Sequence, residues 1–356
     1  MPPKVRVGIL FGGQSAEHEI SILSARNVLD ALDRDRFEPV LIGIDKSGRW
    51  LAQDESRLIA GSRDPRQVRV EPGLPAPIEV AAGQVDVVFP ILHGTLGEDG
   101  AMQGLFEVAG VPYVGAGVLG SAIGMDKDVM KRLLRDAGMP IADFRTVRRD
   151  RFLADPVAVC ESLRPLGFPL FAKPANAGSS VGVSRVASLG QLQAAIEHAL
   201  QFDTKAVVEQ GISGREIELA VLGGDPPLVS VAGEIIVEHA DGFYSYEAKY
   251  IDENAARLVM PADLSADELA RAQQLALHTF QVLECDGMAR VDLFLAADGR
   301  FHVNEINTIP GFTAISMYPK LWELSGLARQ DLVSRLIDLG LQRAQLRRQV
   351  RKNYGD

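Results

Sequence analysis

The sequence predicts a three-domain protein of the α/β and α+β classes that begins with a doubly wound parallel sheet. Its 356 residues are 47% hydrophobic, which is more than one ordinary domain needs. A buried strand at 5–11, a tight turn at Gly12 and Gly13, and a helix at 15–32 with Ser15 as its N-cap form the opening unit. The same pattern continues in two strands and a helix, at 37–44, 85–92 and 101–109.

A second region begins with a helix that Asp126 is expected to cap. Apolar residues recur at helical spacing from Met130 to Ala137, and Gly138 is expected to end the helix. Three strands and a further helix follow, at 168–173, 181–186, 206–209 and 189–200. We therefore predict an N-terminal domain at 1–123 and a central domain at 124–212.

The third predicted domain, at 213–356, has α+β character. Ser265 and Glu268 form a capping box at the start of a helix, and the basic end from Gln342 is typical of a solvated helix. A long irregular stretch interrupts the domain, and stretches of this size are often lids over binding sites. We therefore predict a lid loop at 241–261.

Charge and cysteine content exclude several kinds of partner. The net charge of −10 argues against nucleic acid, because binding to nucleic acid needs clustered lysine and arginine. Cys160 and Cys285 lie far apart in the sequence, so neither a disulfide framework nor a zinc site is indicated. We find no run long enough to span a bilayer and no signal peptide. We expect a cytoplasmic protein that binds small molecules or proteins.

The most informative local pattern is a hairpin near the C-terminus. Two alternating segments, at 289–296 and 301–307, flank Asp298 and Gly299, a pair that favours a two-residue turn. A two-residue loop fixes which residues face each other across the two strands. A three-residue loop would shift this register.

With a two-residue loop, Asp292 faces Glu305, Arg290 faces Asn307, and all four side chains share one face of the sheet. Opposed carboxylates repel unless a cation lies between them. Two carboxylates and an amide oxygen suit Mg²⁺, which usually completes its shell with water and substrate phosphates. The alternative is a solvated polar face whose charge Arg290 balances.

A loop of small residues at 173–182 lies between two predicted strands. Its backbone N–H groups could approach phosphate oxygens, and Lys173 supplies positive charge at its base. The loop does not match a Walker sequence, and a strand rather than a helix follows it. The alternative is an inert connection between two strands.

Glu17, which follows the first glycine turn, is open to two interpretations. Together with Glu19 it could complement the dipole of the first helix. It could also receive the ammonium group of a substrate.

Several motifs, in order along nearly the whole chain, resemble those of one enzyme family. Three of them resemble the ATP-grasp ligases, which clamp ATP between two α+β domains: the loop at 173–182, Arg290-x-Asp292 and the segment 304–311. Others narrow the resemblance to the D-alanine:D-alanine ligases, namely the segments 11–19, 92–94, 125–127 and 246–250. The resemblance implies a three-domain ATP-grasp fold and the ATP-dependent joining of two D-alanine molecules through an acyl phosphate, for peptidoglycan precursor synthesis.

The resemblance also implies residues that bind ATP and metal. Two Mg²⁺ ions, or Mn²⁺, would be held by Asp292, Glu305 and Asn307. The adenine would lie against residues 209–212, and the ribose hydroxyls would bind the carboxylate of Glu216. The full set implied to bind ATP is Lys127, Lys173, Ser179, Ser180, Val181, Glu209, Gln210, Gly211, Ile212, Glu216 and Lys249. The sequence departs from the family pattern at two places, and these bear on the adenine contacts. Residues 210–211 include no aromatic side chain, and Ala177 stands where many relatives have an acidic residue.

Two D-alanine sites follow from the same resemblance. Glu17 would bind the first ammonium group, with His93 nearby, although a histidine after a strand is often simply packed. Ser316 and Met317 would contact the carboxylate of the second D-alanine. The implied catalytic set, which includes an oxyanion hole and a closing network around Glu17, is Glu17, Ser179, Lys249, Tyr250, Arg290 and Gly311. Arg290 could instead be only the counter-ion of the carboxylates.

Other functions remain open at this point. A ligase that uses D-lactate or D-serine as acceptor would differ in a few contacts, and Tyr250 favours an amine acceptor. A non-catalytic ATP-binding sensor would tolerate loss of the metal ligands, which this sequence keeps. A nicotinamide oxidoreductase is disfavoured because no GxGxxG follows the first strand. The resemblance also implies a homodimer.

Overall fold

The structure, a computed structural model, describes residues 3–76, 83–237 and 256–351. Its strands form three sheets of four, four and five strands. Most of the predicted lid loop, including Lys249 and Tyr250, lies outside the described residues. Within the described ranges, no helix is both long and apolar enough to cross a membrane.

The first sheet belongs to the N-terminal third of the chain. Its strands are β1 (Val5–Gly12), β2 (Phe37–Ile44), β3 (Trp50–Ala52) and β4 (Val87–Pro90). The helices of this part are α1 (His18–Asp30), α2 (Glu55–Ala60), α3 (Ala101–Ala109) and α4 (Val118–Met125). The strand order is β3-β2-β1-β4, and β1 runs parallel to both β2 and β4. This confirms the predicted parallel opening sheet.

The predicted N-cap of α1 is wrong. The helix begins at His18 and its N-cap is Glu17, not Ser15. The Ser15 hydroxyl instead donates to the backbone oxygen of His93 at 2.6 Å and accepts the N–H of Glu17 at 3.2 Å. Ser15 therefore ties the turn after β1 to the turn after β4, which brings Glu17 and His93 to the same end of the sheet.

The second sheet is antiparallel. Its strands are β5 (Phe144–Arg148), β6 (Leu170–Pro174), β7 (Ser184–Val186) and β8 (Lys205–Gln210), in the order β5-β8-β6-β7. The helices are α5 (Lys127–Asp136), α6 (Arg149–Ala154), α7 (Pro156–Leu163) and α8 (Leu189–Ala199). Asp126 caps α5 as predicted. The predicted strand at 181–186 is shortened to β7 because residues 179–182 form a turn.

The third sheet has five strands. They are β9 (Gly214–Leu222), β10 (Leu228–Val237), β11 (Ala256–Val259), β12 (Met288–Ala296) and β13 (Phe301–Asn307), in the order β11-β10-β9-β12-β13. Among the described residues of this region, the helices are α9 (Ala266–Val282), α10 (Met317–Leu324) and α11 (Arg329–Gln349). The capping box of Ser265 and Glu268 is confirmed. The irregular lid was predicted to extend to residue 261. This end of the prediction is wrong, because residues 256–259 form β11, which pairs with β10.

Hydrophobic cores are shared between the first and third sheets and between α5 and the third sheet, whereas the strands of the second sheet pack in a core of their own. Met130 and Leu134 of α5 are buried in the same core as Leu219 and Leu293 of the third sheet. A second core joins the first sheet to α10 and α11. Burial of these side chains favours the arrangement in which loops from all three sheets meet.

The β12–β13 hairpin has a three-residue loop, so the predicted two-residue loop is wrong. The N–H of Ala296 donates to the backbone oxygen of Arg300 at 2.9 Å, which leaves residues 297–299 as the loop. Gly299 has a φ of 78°, the left-handed conformation that ends loops of this length.

A β-bulge cancels the shift that this loop introduces. Leu293 pairs with Val303, whereas Asp292 pairs with Glu305, so Asn304 is the extra residue. Without the bulge, Glu305 would face Val291, which is buried in the core. The predicted pairing of Asp292 with Glu305 is therefore confirmed, although the loop that was expected to set it is different.

We predict opposite effects from adding one methyl group at two glycines with open surroundings. Gly299→Ala should lower the free energy of unfolding by about 1–2 kcal/mol, because alanine is strained in the left-handed conformation. Gly104→Ala, in the middle of α3, should raise it by roughly 0.5–1 kcal/mol. Urea unfolding of both variants provides the measurement. Equal effects of the two substitutions would contradict the left-handed conformation of Gly299.

Candidate active site

Two cavities adjoin where the three sheets meet. The inner cavity has a volume of about 120 Å³ and is lined by residues of all three parts, among them Glu17, Ser179 and Arg290. The outer cleft has a volume of about 440 Å³ and lies between the second and third sheets. Lys127, Ser179 and Glu305 line both. A molecule in the outer cleft would therefore reach the mouth of the inner cavity.

Three carboxylates lie side by side on the third sheet, and two of them, Glu218 and Glu305, line the inner cavity. Asp292 of β12 pairs in register with Glu305 of β13 and with Glu218 of β9. Arg290 donates to both oxygens of Asp292 at 2.7 Å, and its Nε lies 3.1 Å from Oε2 of Glu218. Burial alone would lower the pKa of Arg290, but Asp292 and Glu218 raise it well above its usual value. The guanidinium group is therefore a permanent positive charge among these carboxylates.

The predicted metal ligands do come together. The amide nitrogen of Asn307 donates to Oδ2 of Asp292 at 3.0 Å, so the amide oxygen is the atom with which Asn307 could bind a cation. Carboxylate and amide oxygens are the donors that Mg²⁺ prefers. In the ranges that the structure describes, no group of three or more histidine, cysteine, aspartate or glutamate side chains is arranged to hold a metal ion.

Glu218 was missed in the sequence, although a signal for it exists. Glu216 and Glu218 alternate with the buried Ile217 and Leu219, which places both glutamates on the face of β9 opposite the core. Glu216, predicted to bind ribose, lines the outer cleft, whereas Glu218 lines the inner cavity.

The loop after β6 joins the second sheet to the first. Ser179 and Ser180 have φ values of 49° and 58°, so consecutive residues adopt the left-handed conformation. The Ser179 hydroxyl donates to the Glu17 carboxylate, and both residues line the inner cavity. Val181 continues the loop and lines the outer cleft. The predicted association of Glu17 with Ser179 is thus present in the fold.

Two predicted lysines border the outer cleft. Nζ of Lys127 donates to the backbone oxygen of Ala177 at 2.7 Å and lies 3.8 Å from Oε2 of Glu305. Nζ of Lys173 lies 2.5 Å from Oε1 of Glu209. Lys127 and Lys173 therefore border the same cleft as the loop at 178–181.

Glu209 has a second cationic partner that the sequence analysis missed. Nζ of Lys131 lies 2.8 Å from Oε2 of Glu209. Burial alone would raise the pKa of Glu209, but Lys131 and Lys173 lower it to about 2. The available signal was the spacing, because Lys131 follows Lys127 by one helical turn and sits beside the buried Met130.

The hinge between the second and third sheets forms the far wall of the outer cleft. Gln210, Gly211 and Ile212 line it, and the N–H of Gly211 donates to the backbone oxygen of Pro169 at 2.8 Å. The aromatic residue expected at the hinge is absent, but Phe171 and Phe294 also line this cleft. Flat apolar rings of this kind suit a planar heterocycle.

The segment at 309–312 is held by side chains of the first sheet. Nδ1 of His93 contacts the backbone oxygen of Ile309 at 3.0 Å, and Nε2 contacts the Ser24 hydroxyl at 3.0 Å. The Ser24 hydroxyl in turn accepts the N–H of Phe312 at 3.2 Å. Burial lowers the pKa of His93, so the ring is neutral. His93 is thus a packed residue that also lines the inner cavity.

The opposite wall of the inner cavity contains Gly311, Ser316 and Met317. A Cβ atom at Gly311 would lie 2.8 Å from the Ser316 hydroxyl, so only glycine fits without movement. The Ser316 hydroxyl accepts the N–H of Thr313 at 3.0 Å. These contacts fix the backbone around Gly311, whose N–H was predicted to form part of an oxyanion hole.

Comparison with models of known protein families identifies the family to which this chain belongs. The family model described as "D-ala D-ala ligase N-terminus" matches residues 6–116, and that described as "D-ala D-ala ligase C-terminus" matches residues 133–338. The chain belongs to the D-alanine:D-alanine ligase family. The ATP-grasp fold predicted for that family agrees with the three sheets.

Similar proteins and structures are named as ligases of D-alanine. The chain is 52% identical to D-alanine--D-alanine ligase A of Salmonella typhimurium and 50% identical to that of Escherichia coli K12, in each case over 96% of both chains. The D-alanine-D-alanine ligase of Coxiella burnetii has a TM-score of 0.82 and 38% identity, with 97% of this chain and 96% of that chain covered. The VanG D-Ala:D-Ser ligase of Enterococcus faecalis has a TM-score of 0.81 and 34% identity, covering 95% and 100%.

Glu98 provides a pH-dependent prediction. Its buried carboxylate accepts the N–H of Gly94 at 2.8 Å and the N–H of Ile309 at 3.3 Å. Burial, together with the charges of Glu17 and Glu305, raises the pKa of Glu98 to about 8. A glutamate in the unfolded chain has a pKa of about 4.3, so between these values the folded state binds a proton that the unfolded state lacks. Between these pH values, Glu98 should therefore make the free energy of unfolding fall as pH rises.

Glu98→Gln should remove this contribution, because glutamine does not titrate. The free energy of unfolding, measured in urea between about pH 5 and 8, should depend less on pH in Glu98→Gln than in the unmodified protein. The exposed Glu38→Gln is the control and should keep the original pH dependence. An unchanged pH dependence in Glu98→Gln would show that Glu98 does not hold a proton in the folded state.

Proposed function

We propose that this protein joins two D-alanine molecules to D-alanyl-D-alanine, converts ATP to ADP and phosphate, and supplies peptidoglycan precursor synthesis. The observation that carries the proposal is the identity of 50–52% to D-alanine--D-alanine ligases over 96% of the chain. The two adjoining cavities support it. One reactant can lie in the outer cleft while its phosphates meet a second reactant at Glu305 and Ser179.

The chemistry requires activation before the peptide bond forms, because a free carboxylate is a poor electrophile. The γ-phosphoryl group is transferred to a carboxylate oxygen of the first D-alanine. The neutral amine of the second then attacks the acyl carbon and loses a proton, and phosphate leaves. Glu17 would hold the first ammonium group, with His93 nearby, and Ser316 and Met317 would contact the second carboxylate. Arg290 and the Gly311 N–H would stabilise the developing oxyanion.

We infer that ATP lies in the outer cleft. The adenine would lie at residues 209–212 near Phe171 and Phe294, and the ribose near Glu216. Lys127, Lys173 and the loop at 178–181 would face the phosphates. Lys249 would join them from outside the described residues. We assign the three sheets to domains at 1–123, 124–212 and 213–356.

We infer that two divalent cations, Mg²⁺ or Mn²⁺, are held by Asp292, Glu305 and Asn307. The hard oxygen donors on one face of β12 and β13 fit these ions. Bound there, the ions would offset the negative charge that develops during phosphoryl transfer. Arg290, which now neutralises Asp292, would share that carboxylate with a cation.

Two further properties follow from the family and are proposed here. The protein is a cytoplasmic homodimer without nucleic-acid or membrane partners. Exposed apolar side chains on neighbouring helices, Leu105 and Val108 of α3 and Leu119 of α4, support a subunit contact, since Val108 is 91% exposed.

The alternative acceptor is D-serine, because the VanG neighbour is named as a D-Ala:D-Ser ligase. The higher identity to D-alanine--D-alanine ligases favours D-alanine. D-Lactate is a third possibility. Retention of Asp292, Glu305, Asn307 and Arg290 in one cluster disfavours a non-catalytic sensor.

We predict that Asp292→Asn and Glu305→Gln each abolish phosphate release from ATP in the presence of D-alanine. Each substitution removes charge from the cation site and leaves the apolar core intact. Phosphate release at saturating Mg²⁺, with thermal unfolding measured in parallel, provides the test. Asp298→Asn, at the exposed turn of the same hairpin, is the matched control and should keep full activity. Normal turnover in either site variant would exclude that residue as a metal ligand.

We also predict the acceptor preference. With ATP, Mg²⁺, D-alanine and an equal concentration of D-serine or D-lactate, the unmodified protein should form mainly D-alanyl-D-alanine rather than the D-serine or D-lactate product. Tyr250→Phe should keep ATP binding but gain relative activity with D-lactate, because one polar contact is worth roughly tenfold to a hundredfold in discrimination. Product analysis by mass spectrometry distinguishes the outcomes. Preference of the unmodified protein for D-serine would replace the proposed acceptor, and an unchanged product ratio would remove Tyr250 from acceptor choice.

A further inference from the structure

Behind the wall of the outer cleft lies a buried cluster of two lysines and one glutamate. Oε1 of Glu209 lies 2.5 Å from Lys173, and Oε2 lies 2.8 Å from Lys131. The exposed fractions are 1% for Lys131, 5% for Glu209 and 8% for Lys173. Lys173 and Glu209 line the outer cleft, whereas Lys131 does not.

The three groups carry two positive charges and one negative charge, and Glu305 is a further negative charge that acts on both lysines. Within the cluster, Lys173 alone would match the charge of Glu209. An ammonium group is costly to bury, and replacing a buried ion pair by apolar residues often leaves stability unchanged or improves it. Stability therefore does not account for a lysine at this position.

The backbone places Lys131 on the far side of Glu209 from the cleft. Lys131 belongs to α5, and its Nζ lies 6.0 Å from the centre of the Phe144 ring. Phe144 of β5 pairs in register with Glu209 of β8. Glu209 is thus held between Lys131, on the side away from the cleft, and Lys173, at the cleft. One carboxylate oxygen lies close to each lysine.

We propose that Lys131 is a positioning residue for ATP, which acts through Glu209 and keeps the positive charge of Lys173 available to phosphate groups. Without Lys131, the whole charge of Glu209 would fall on Lys173 and offset its attraction for phosphate. The inference rests on the proposed binding of ATP in the outer cleft. It assigns Lys131 no contact with substrate.

The test is calorimetric binding of a non-hydrolysable ATP analogue with Mg²⁺ and without amino acids. Lys131→Met should weaken analogue binding by about tenfold or more, because the negative charge of Glu209 would then offset the positive charge with which Lys173 attracts phosphate. Binding of adenosine, which has no phosphate, should stay unchanged. Arg132→Met is the matched control, since Arg132 follows on the same helix but is half exposed and pairs with Asp128. It should bind the analogue normally.

A second substitution separates electrostatics from folding. In the Glu209→Gln background the negative charge is gone, so adding Lys131→Met should weaken analogue binding little beyond the effect of Glu209→Gln alone. A purely structural role of Lys131 would make Lys131→Met weaken analogue binding equally in both backgrounds. Where Lys131→Met does not fold, Lys131→Gln removes the same charge and carries the same prediction.

Three results would overturn the inference: unchanged analogue binding in Lys131→Met, equal weakening of adenosine and analogue, or an equal loss from Lys131→Met with and without Glu209→Gln. Failure of the proposed function is distinguishable from these. An unmodified protein that binds the analogue but forms no D-alanyl-D-alanine would contradict the proposed function and leave the role of Lys131 intact.

Discussion

Asp292 and Glu305 face each other across β12 and β13 because a β-bulge at Asn304 cancels the shift of a three-residue loop. The rest of the site depends on this pairing. It keeps Glu305 on the polar face, where Lys127 approaches from α5, and keeps Asn307 beside Asp292. A one-residue slip would move Glu305 and Asn307 to the face that packs against the core. The chain would then bury carboxylate and amide groups and lose the proposed cation site.

The remaining parts of the site are brought to this hairpin by contacts between sheets. The Ser179 hydroxyl binds the Glu17 carboxylate and so joins the loop after β6 to the start of α1. His93 and Ser24 hold the backbone on either side of Gly311. Shared cores hold the first and third sheets together, and α5 packs on the third sheet. The site is therefore built from loops, but rigid packed elements set the distances between them.

The sequence predicted most of the fold because its signals are local. The alternation in β12 and β13, the cap at Asp126 and the capping box at Ser265 each depend on a few neighbouring residues. Ser15 was misassigned because its hydroxyl bonds to His93, which is distant in the sequence. The loop length at 297–299 was wrong because Asp298 and Gly299 fit both a two-residue turn and a three-residue turn. Glu98 was missed because its importance comes from burial, which tertiary packing sets, whereas Lys131 and Glu218 had local signals in helical spacing and strand alternation that gave their position but not their partners.

The most direct test of the central claim is to count bound Mn²⁺ by electron paramagnetic resonance in the presence of a non-hydrolysable ATP analogue. The paired residues of β12 and β13 should hold two ions per chain in the unmodified protein, in keeping with phosphoryl-transfer sites that use two metals. Asp292→Asn should hold fewer ions at a temperature where thermal unfolding shows that it is still folded, although loss of the Arg290 partner lowers its stability. Equal numbers of bound ions in both proteins would contradict the claim that the bulged hairpin forms the metal site.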